Sequence, residues 1–199
     1  KDNARFIGHA THVTGTLIGS DSVNGARGMA YKATLDAYDW NSDNSEMASA
    51  GSSGLLISNH SYGQVTGWRY KDDESEWYWY GATQVSQKED YRFGFYGRDA
   101  RNWDRIARNA PYYLIVKSAG NDRNDDGPSG SNDHKVRNSR NNWVNSTKSR
   151  NPDGSYDCLP PKSTAKNILT VGAVNDIPSG YSKPSDVAMT SFSSWGPTD

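Results

Sequence analysis

The chain has 199 residues, enough for one domain with a sizeable hydrophobic core. Its 22 basic and 23 acidic side chains give a formal net charge of −1. This balance excludes the strongly basic surface that nucleic acids and anionic membranes attract. Hydrophobic residues make up only 34%, but aromatic residues reach 12%, whereas disordered chains are poor in aromatics. The sequence therefore predicts a folded domain with large polar loops, no nucleic-acid partner and no membrane span.

Short apolar runs alternate with helical patterns along the chain. The first helical pattern covers residues 9–19, and the second covers Asp99–Ala110 and ends before a proline. The second pattern places Trp103, Ile106 and Ala107 on one face. The predicted strands, in chain order, are Ala30–Tyr38, Leu55–His60, Tyr112–Val116 and Asn167–Val174. The alternation predicts an α/β fold with a mostly parallel sheet and helices on both faces.

Two polar segments do not fit this core and are predicted to be long surface insertions. Residues 64–103 hold 11 of the 23 aromatic residues in a polar setting. Residues 122–166 are rich in Asn, Asp, Ser, Gly and Pro. Segments of this kind are either ordinary surface loops or functional ones, such as the rim of a substrate cleft or an ion site.

The first candidate functional residues lie in the predicted first helix, at His9 and His12. Small residues around them allow the helix to pack closely on a sheet, so that His9 can face a cleft. Alone, the pair favours a structural or capping role over a catalytic one. Zinc is disfavoured because the glutamate of the His-Glu-x-x-His motif is missing and the spacing differs. His60 and His134 lie in no cluster resembling a zinc site, so no metal ligand is predicted among the histidines.

Two polar segments follow predicted strands, where active-site groups of open α/β sheets collect. Asn121 ends the run Ser118-Ala119-Gly120-Asn121, and its side-chain amide can stabilise an oxyanion if it points into a cleft. The run Ser61-Tyr62-Gly63 suits an extended edge that pairs with a peptide. Taken alone, Asn121 is more typical of an ordinary turn, and the alternative for the second run is a plain exit from a strand into a loop.

The order of the motifs is more specific than any one of them. His-Ala-Thr-His-Val-Thr-Gly-Thr is followed by Asn-His-Ser-Tyr-Gly, Ala-Gly-Asn, Thr-Val-Gly-Ala-Val and Ser-Phe-Ser-Ser-Trp-Gly-Pro. Apart from the two insertions, the whole series resembles the subtilisin-like (subtilase, S8) serine peptidases. The segments HATHVTGTL, SAGNDR and MTSFSSWGPTD resemble the corresponding segments of secreted subtilases from Bacteroidetes-type bacteria. The resemblance implies a subtilisin-like fold and a secreted or cell-surface location.

The resemblance also implies a role for each matching residue. His9 takes the position of the general base, although Ala10 stands where the family usually has glycine. Asn121 takes the position of the oxyanion donor. The two walls of the specificity pocket correspond to Ser61, Tyr62 and Gly63 on one side and to Ser118, Ala119 and Gly120 on the other. The implied reaction is endoproteolysis of a polypeptide substrate by a Ser-His-Asp triad.

Two members of that triad are not found in residues 1–199. The aspartate comes first in subtilisins, but only eight residues precede His9, and Asp2 lacks the Asp-Thr/Ser-Gly setting. The nucleophile motif Gly-Thr-Ser-Met-Ala is absent, and Ser193 and Ser194 match a structural strand instead. We therefore expect one partial, incomplete catalytic domain over 1–199. It would be inactive alone, and the remainder of the same domain would be its partner.

Three further expectations concern ions, the cysteine and an alternative function. No cofactor is required. A cluster of acidic residues is compatible with a structural calcium ion: Asp122, Asp125, Asp126 and Asp133. The alternative is that these residues form a solvated acidic loop that binds no ion. Cys158 is the sole cysteine, either free or paired with a cysteine outside this chain. The alternative function is a non-catalytic module whose aromatic segment, residues 64–103, binds a polymer such as a glycan.

Overall fold

The computed structural model describes residues 8–20 and 26–199. The chain divides into two compact units, residues 1–47 and 48–199, each of which is treated by itself. Within the described residues, no helix is both long and apolar enough to cross a membrane.

The first unit contains helix α1, Gly8–Ile18, which confirms the helix predicted over residues 9–19. Helix α2, Asp43–Ser52, begins in this unit and ends in the second one. The strand predicted over Ala30–Tyr38 is wrong: these residues form turns and irregular backbone, and all of them are exposed. Alternation of apolar and polar residues favours a strand only where a neighbouring strand pairs with it, and the described residues show no such partner here.

Three parallel strands form the first sheet of the second unit. Their bounds are β1 Ile57–His60, β4 Leu114–Ser118 and β7 Leu169–Val171, and β4 lies in the centre. Ile57 pairs with Leu114, and Val116 pairs with Leu169. The parallel α/β prediction is confirmed: β1 and β7 fall inside predicted runs, and β4 overlaps the predicted run Tyr112–Val116 but extends two residues beyond it.

One face of this sheet is covered by helix α3, Arg98–Asn109. Trp103, Ile106 and Ala107 are buried, as the pattern predicted, and the Trp103 ring lies 4.8 Å from the ring of His60 on β1. Asp104 anchors the helix, since its Oδ1 accepts hydrogen bonds of 2.8 and 2.7 Å from the backbone N–H groups that precede β7. The opposite face of the sheet exposes apolar side chains, among them Ile57, Leu114, Leu169 and Val171. The helices predicted to cover this face therefore stay a prediction.

A second sheet contains strands from both of the polar segments that were predicted to be surface insertions. Its strands are β2 Trp68–Lys71, β3 Glu76–Trp79, β5 His134–Arg137 and β6 Trp143–Ser146, in that spatial order. The β2–β3 and β5–β6 pairs are antiparallel hairpins, and β3 joins β5 in parallel. The segments 64–103 and 122–166 therefore contain paired strands in addition to loops. Their status as insertions stays a prediction.

Aromatic side chains form the core of the second sheet. Trp68 and Trp79 are 2% and 1% exposed and pack with Val136. The Trp68 indole donates a 2.7 Å hydrogen bond to the Asn151 backbone oxygen. Arg150 stacks over Trp79 at 4.0 Å, a cation–π contact. Hydrophobic residues are scarce in these segments, so large rings supply most of the buried area.

Two short 3₁₀ helices complete the regular structure of the second unit. They cover Pro161–Thr164 and Pro184–Asp186. The first lies between α3 and the central strand: the Ser163 hydroxyl donates a 2.9 Å bond to the Ser118 backbone oxygen. This contact places residues 161–164 next to the carboxyl end of β4.

Trp79→Ala should lower the free energy of unfolding by about 3–5 kcal/mol, because it opens a cavity in the second sheet. Urea unfolding followed by circular dichroism measures the loss. Tyr70→Ala is the matched control, since Tyr70 belongs to the same sheet but is 42% exposed. An equal loss for both variants would contradict the assignment of Trp79 to a core.

Candidate functional site

The predicted substrate-binding residues meet at the carboxyl ends of β1 and β4. These strands are neighbours, and His60 and Lys117 form the last pair of their register. Ser61, Tyr62 and Gly63 follow β1 directly, while Ser118 ends β4 and is followed by Ala119 and Gly120. The structure therefore brings the two predicted walls to adjacent positions at one edge of the sheet.

The turn after β4 is held by backbone hydrogen bonds from two other segments. The Ala119 N–H donates to the Val171 oxygen at 2.8 Å, and the Gly120 oxygen accepts from the Ser194 N–H at 3.0 Å. Gly120 has φ +117°, and a Cβ there would lie 2.7 Å from the Ser194 hydroxyl. Only glycine fits this turn without strain. Asn121 follows the turn and is exposed.

Ser193 and Ser194 are buried and support this turn. The Ser193 hydroxyl accepts a 3.0 Å hydrogen bond from the Ala173 N–H. The Ser194 hydroxyl accepts a 3.1 Å bond from the Asp122 N–H and lies 3.4 Å from the Asp122 carboxylate. Both hydroxyls are engaged with backbone, which agrees with the structural role expected from the sequence.

The side chains of the first wall are also ordered by local contacts. The Asn59 amide donates a 2.9 Å hydrogen bond to the Ser61 hydroxyl. The Tyr62 hydroxyl is hydrogen-bonded to His60 Nδ1 at 2.9 Å, and the other ring nitrogen of His60 contacts Ser58 at 2.7 Å. His60 is thus a buried structural histidine that fixes Tyr62 beside the strand end.

The sequence reasoning missed Lys117, which is 1% exposed at the end of β4. Its Nζ donates two 2.9 Å hydrogen bonds, one to the Ser118 backbone oxygen and one to the Ser118 hydroxyl. Burial, with a smaller contribution from the nearby Lys162 cation, lowers the pKa of Lys117 to about 8, although Asp122 opposes this shift. The sequence does indicate that Lys117 is unusual, because a lysine rarely occurs inside an apolar run such as YYLIVKS.

The predicted general base, His9, lies in the first turn of α1 and is exposed. It belongs to the first unit, whereas Asn121 and both walls belong to the second. His12 is also exposed, and its backbone oxygen accepts a 3.1 Å hydrogen bond from the Thr16 hydroxyl. The role of His9 as a base stays a prediction.

Three buried or half-buried carboxylates lie beneath the Asn121 loop. Oxygens of Asp122, Asp125 and Asp153 all lie within 4.8 Å of one another. Asp126 and Asp133, which the sequence grouped with the first two, are exposed and do not belong to this set. Asp153 was missed because it lies 28 positions beyond Asp125 in a different part of the loop region.

The same cluster contains a cation from the protein itself. Arg69 lies 3.4 Å from Asp122 and 3.6 Å from Asp125, so its guanidinium neutralises part of the charge. Oxygen donors at this spacing fit a hard cation such as calcium, and Oδ2 of Asp125 is buried without a hydrogen bond. A calcium ion would compete with Arg69 for the same carboxylates, and calcium binding stays a prediction.

Burial and the neighbouring carboxylates raise the pKa values of this cluster, most of all that of Asp153. Burial raises the pKa of Asp153 to about 9, and the neighbouring carboxylates of Asp122 and Asp125 add to the shift. Its oxygens accept a backbone hydrogen bond from Trp68, which opposes the shift only in part. Burial also raises the pKa of Asp122 to about 6, although Arg69 lowers it.

The aromatic segment contains both buried and exposed rings. Trp68, Tyr78 and Trp79 are at most 3% exposed. Lys71 covers the ring of Tyr78 at 3.8 Å, and Trp77 packs edge-on against Trp68. Other rings of the segment, those of Tyr70, Tyr91 and Phe95, are exposed, so the binding-module alternative stays a prediction.

Cys158 is fully buried and is the free cysteine of the described residues. The Trp195 N–H donates to its sulfur at 3.2 Å, and burial raises the pKa of the thiol. A buried neutral thiol of this kind is unreactive. Its contacts favour a packing role over a disulfide to another chain.

Asp153→Asn should flatten the pH dependence of folding stability. The folded chain holds the Asp153 proton up to about pH 9, whereas the unfolded chain releases it near the ordinary pKa of 3.8. The free energy of unfolding must therefore fall as the pH rises between these values. We expect the wild type to lose more than about 1.4 kcal/mol from about pH 5 to pH 9, the equivalent of one pKa unit.

Asp126→Asn is the control for that measurement, because it removes an exposed carboxylate outside the cluster. Urea unfolding of the three proteins at about pH 5, 7 and 9 compares their slopes. A wild-type slope that Asp153→Asn leaves unchanged, or a stability that rises over this range, would show that Asp153 is ionised in the folded chain.

The whole chain matches one family model. The model is described as the subtilase family, peptidase S8, and its match covers residues 1–199. No curated protein matches the chain, and no solved structure does. The match agrees with the parallel sheet and with the resemblance read from the ordered motifs. The chain therefore belongs to the subtilase family, whose members are serine peptidases.

Proposed function

We propose that the chain is part of a serine endopeptidase catalytic domain, with His9 as general base and Asn121 as oxyanion donor. The nucleophilic serine and the orienting aspartate belong to residues outside 1–199. The observation that carries the proposal is the Gly120–Asn121 turn at the carboxyl end of β4, beside the end of β1. In a subtilase, this is the edge at which active-site groups are expected to collect.

In this proposal His9 moves the proton of the reaction. It takes the proton of the serine hydroxyl as that oxygen attacks the scissile carbonyl, and then returns it to the departing amine. His9 lies in the first turn of α1 and is exposed.

Asn121 acts on the negative charge that develops on the carbonyl oxygen. Its side-chain amide is a neutral donor, so it costs no desolvation of a charge and no proton exchange. The turn before it is fixed by the Gly120 and Ala119 backbone bonds described above. A donor held in place before the reaction stabilises the oxyanion without reorganisation.

The substrate is a polypeptide that enters between the two predicted walls, residues 61–63 and 118–120. The chemistry needs no cofactor, because the triad and the oxyanion donor are protein groups. The partner of this chain is the remainder of the same catalytic domain. We place the protein outside the cell or on its surface, as the family resemblance implies.

His9→Ala, made in the protein expressed from its complete gene, should lower kcat on a casein-derived peptide by at least about 10⁴-fold. A serine-directed covalent inhibitor should abolish the wild-type activity. His12→Ala is the matched control and should retain activity within about threefold, because its imidazole has no role in the proposal. An inhibitor-insensitive wild type, or an active His9→Ala protein, would refute the proposal.

Asn121→Ala should lower kcat by about 10²–10³-fold and leave KM nearly unchanged, because the donor acts on the transition state. Asn124→Ala removes an exposed asparagine of the same loop and should have little effect. Steady-state kinetics on one peptide substrate measure both variants. A rise in KM at constant kcat for Asn121→Ala would assign this side chain to substrate binding instead.

A further inference from the structure

We infer that the protease selects substrates with an acidic residue before the scissile bond, and that Lys117 and Lys162 are the residues that recognise its carboxylate. This inference rests on the proposed function, because it assigns a substrate class to the pocket between the two predicted walls. Two observations support it: Lys117 contacts residues of both predicted walls, and a small cavity beside Gly63 is lined by Lys117 and Lys162.

Lys117 touches both walls of the predicted pocket. Its ammonium is hydrogen-bonded to Ser118 on one side. On the other side, a methyl group placed on Gly63 would lie 3.7 Å from its Nζ. The amine therefore lies between Gly63 of one wall and Ser118 of the other.

The hydrogen bonds of Lys117 leave one donor for a ligand. An ammonium group has three N–H donors, and the contacts within the described residues account for two of them, both to Ser118. None of the ion pairs of the described residues includes Lys117. A buried cation without a carboxylate within 4 Å is a strong attractor for an incoming anion.

The cavity at this amine carries a second lysine. Its lining consists of residues from the first wall, from α3 and from the segment at residues 160–162: Gly63, Gln64, Asp99, Lys117, Pro160, Pro161 and Lys162. The lining carries two positive charges, the ammonium groups of Lys117 and Lys162, and one negative charge, the carboxylate of Asp99. Lys162 is half-buried and lies 5.2 Å from the ring of Trp103, which keeps its amine near the cavity.

The cavity beside the amine is small. Its volume of about 10 Å³ leaves room for one water-sized group such as a carboxylate oxygen. A Glu or Asp side chain can place this oxygen on Lys117. A Lys or Arg side chain is repelled by both ammonium groups.

The experiment compares four peptides that differ only in the residue before the scissile bond: Glu, Gln, Leu or Lys. The enzyme is the protein from the complete gene. We expect kcat/KM for Glu to exceed that for Gln by at least about tenfold, because Gln can accept a hydrogen bond but supplies no negative charge to pair with the buried ammonium. Lys117→Met should abolish the preference for Glu over Gln.

Two further variants separate recognition from folding. Lys117→Arg keeps the charge and should retain part of the preference for Glu. Lys166→Met removes an exposed lysine outside the cavity and should leave the preference unchanged. Equal cleavage of Glu and Gln by the wild type, or a preference that survives in Lys117→Met, would overturn the inference.

A binding measurement keeps the inference testable apart from catalysis. Product peptides ending in Glu or Gln are titrated by calorimetry into the wild type and into Lys117→Met. Tighter binding of the Glu peptide by the wild type alone supports the inference, even if no peptide is cleaved and the proposed function fails. Equal affinity for the two peptides overturns it, even if the protein proves to be an active protease.

Discussion

Parallel pairing of β1, β4 and β7 is the constraint on which the geometry of the candidate site depends. In parallel strands all the carboxyl ends lie at one edge, so residues far apart in the sequence arrive there together. The register pairs His60 with Lys117, and each wall of the predicted pocket begins directly after or next to that pair. The Gly120 turn then redirects the chain and exposes Asn121. A shift of this register would separate the two walls.

Two groups of buried charged side chains lie next to this edge, and they differ in how their charge is neutralised. The carboxylates of Asp122 and Asp125 pair with the guanidinium of Arg69, while burial raises the pKa of Asp153 enough to keep it protonated. Lys117 has no such neutralising partner within 4 Å among the described residues. The first arrangement joins strand β2 to the Asn121 loop and is structural. The second leaves a cation that an anionic ligand would neutralise, which is why we assign it to substrate recognition.

Local patterns in the sequence predicted the elements whose signals are themselves local. The face of α3 follows from the spacing of Trp103, Ile106 and Ala107, and the parallel strands follow from apolar runs next to helical patterns. The second sheet could not be predicted, because its four-residue strands are polar and aromatic and its central pair, β3 with β5, joins residues more than 50 positions apart. The strand predicted over Ala30–Tyr38 was wrong for a related reason. Alternation of apolar and polar residues indicates a strand only if another strand pairs with it. Asp153 and Lys117 were missed since burial of a charge depends on tertiary contacts.

We propose that His9 serves as general base and Asn121 as oxyanion donor in the enzyme made from the complete gene. The most direct measurement is a crystal structure of the protein from its complete gene after reaction with a peptidyl phosphonate, which attaches to the nucleophilic serine. The account predicts a phosphonyl oxygen within about 2.7–3.1 Å of the Asn121 amide nitrogen and the His9 imidazole within hydrogen-bonding distance of the modified serine. An adduct whose oxygen is bound by other donors, with His9 remote from the serine, would contradict it.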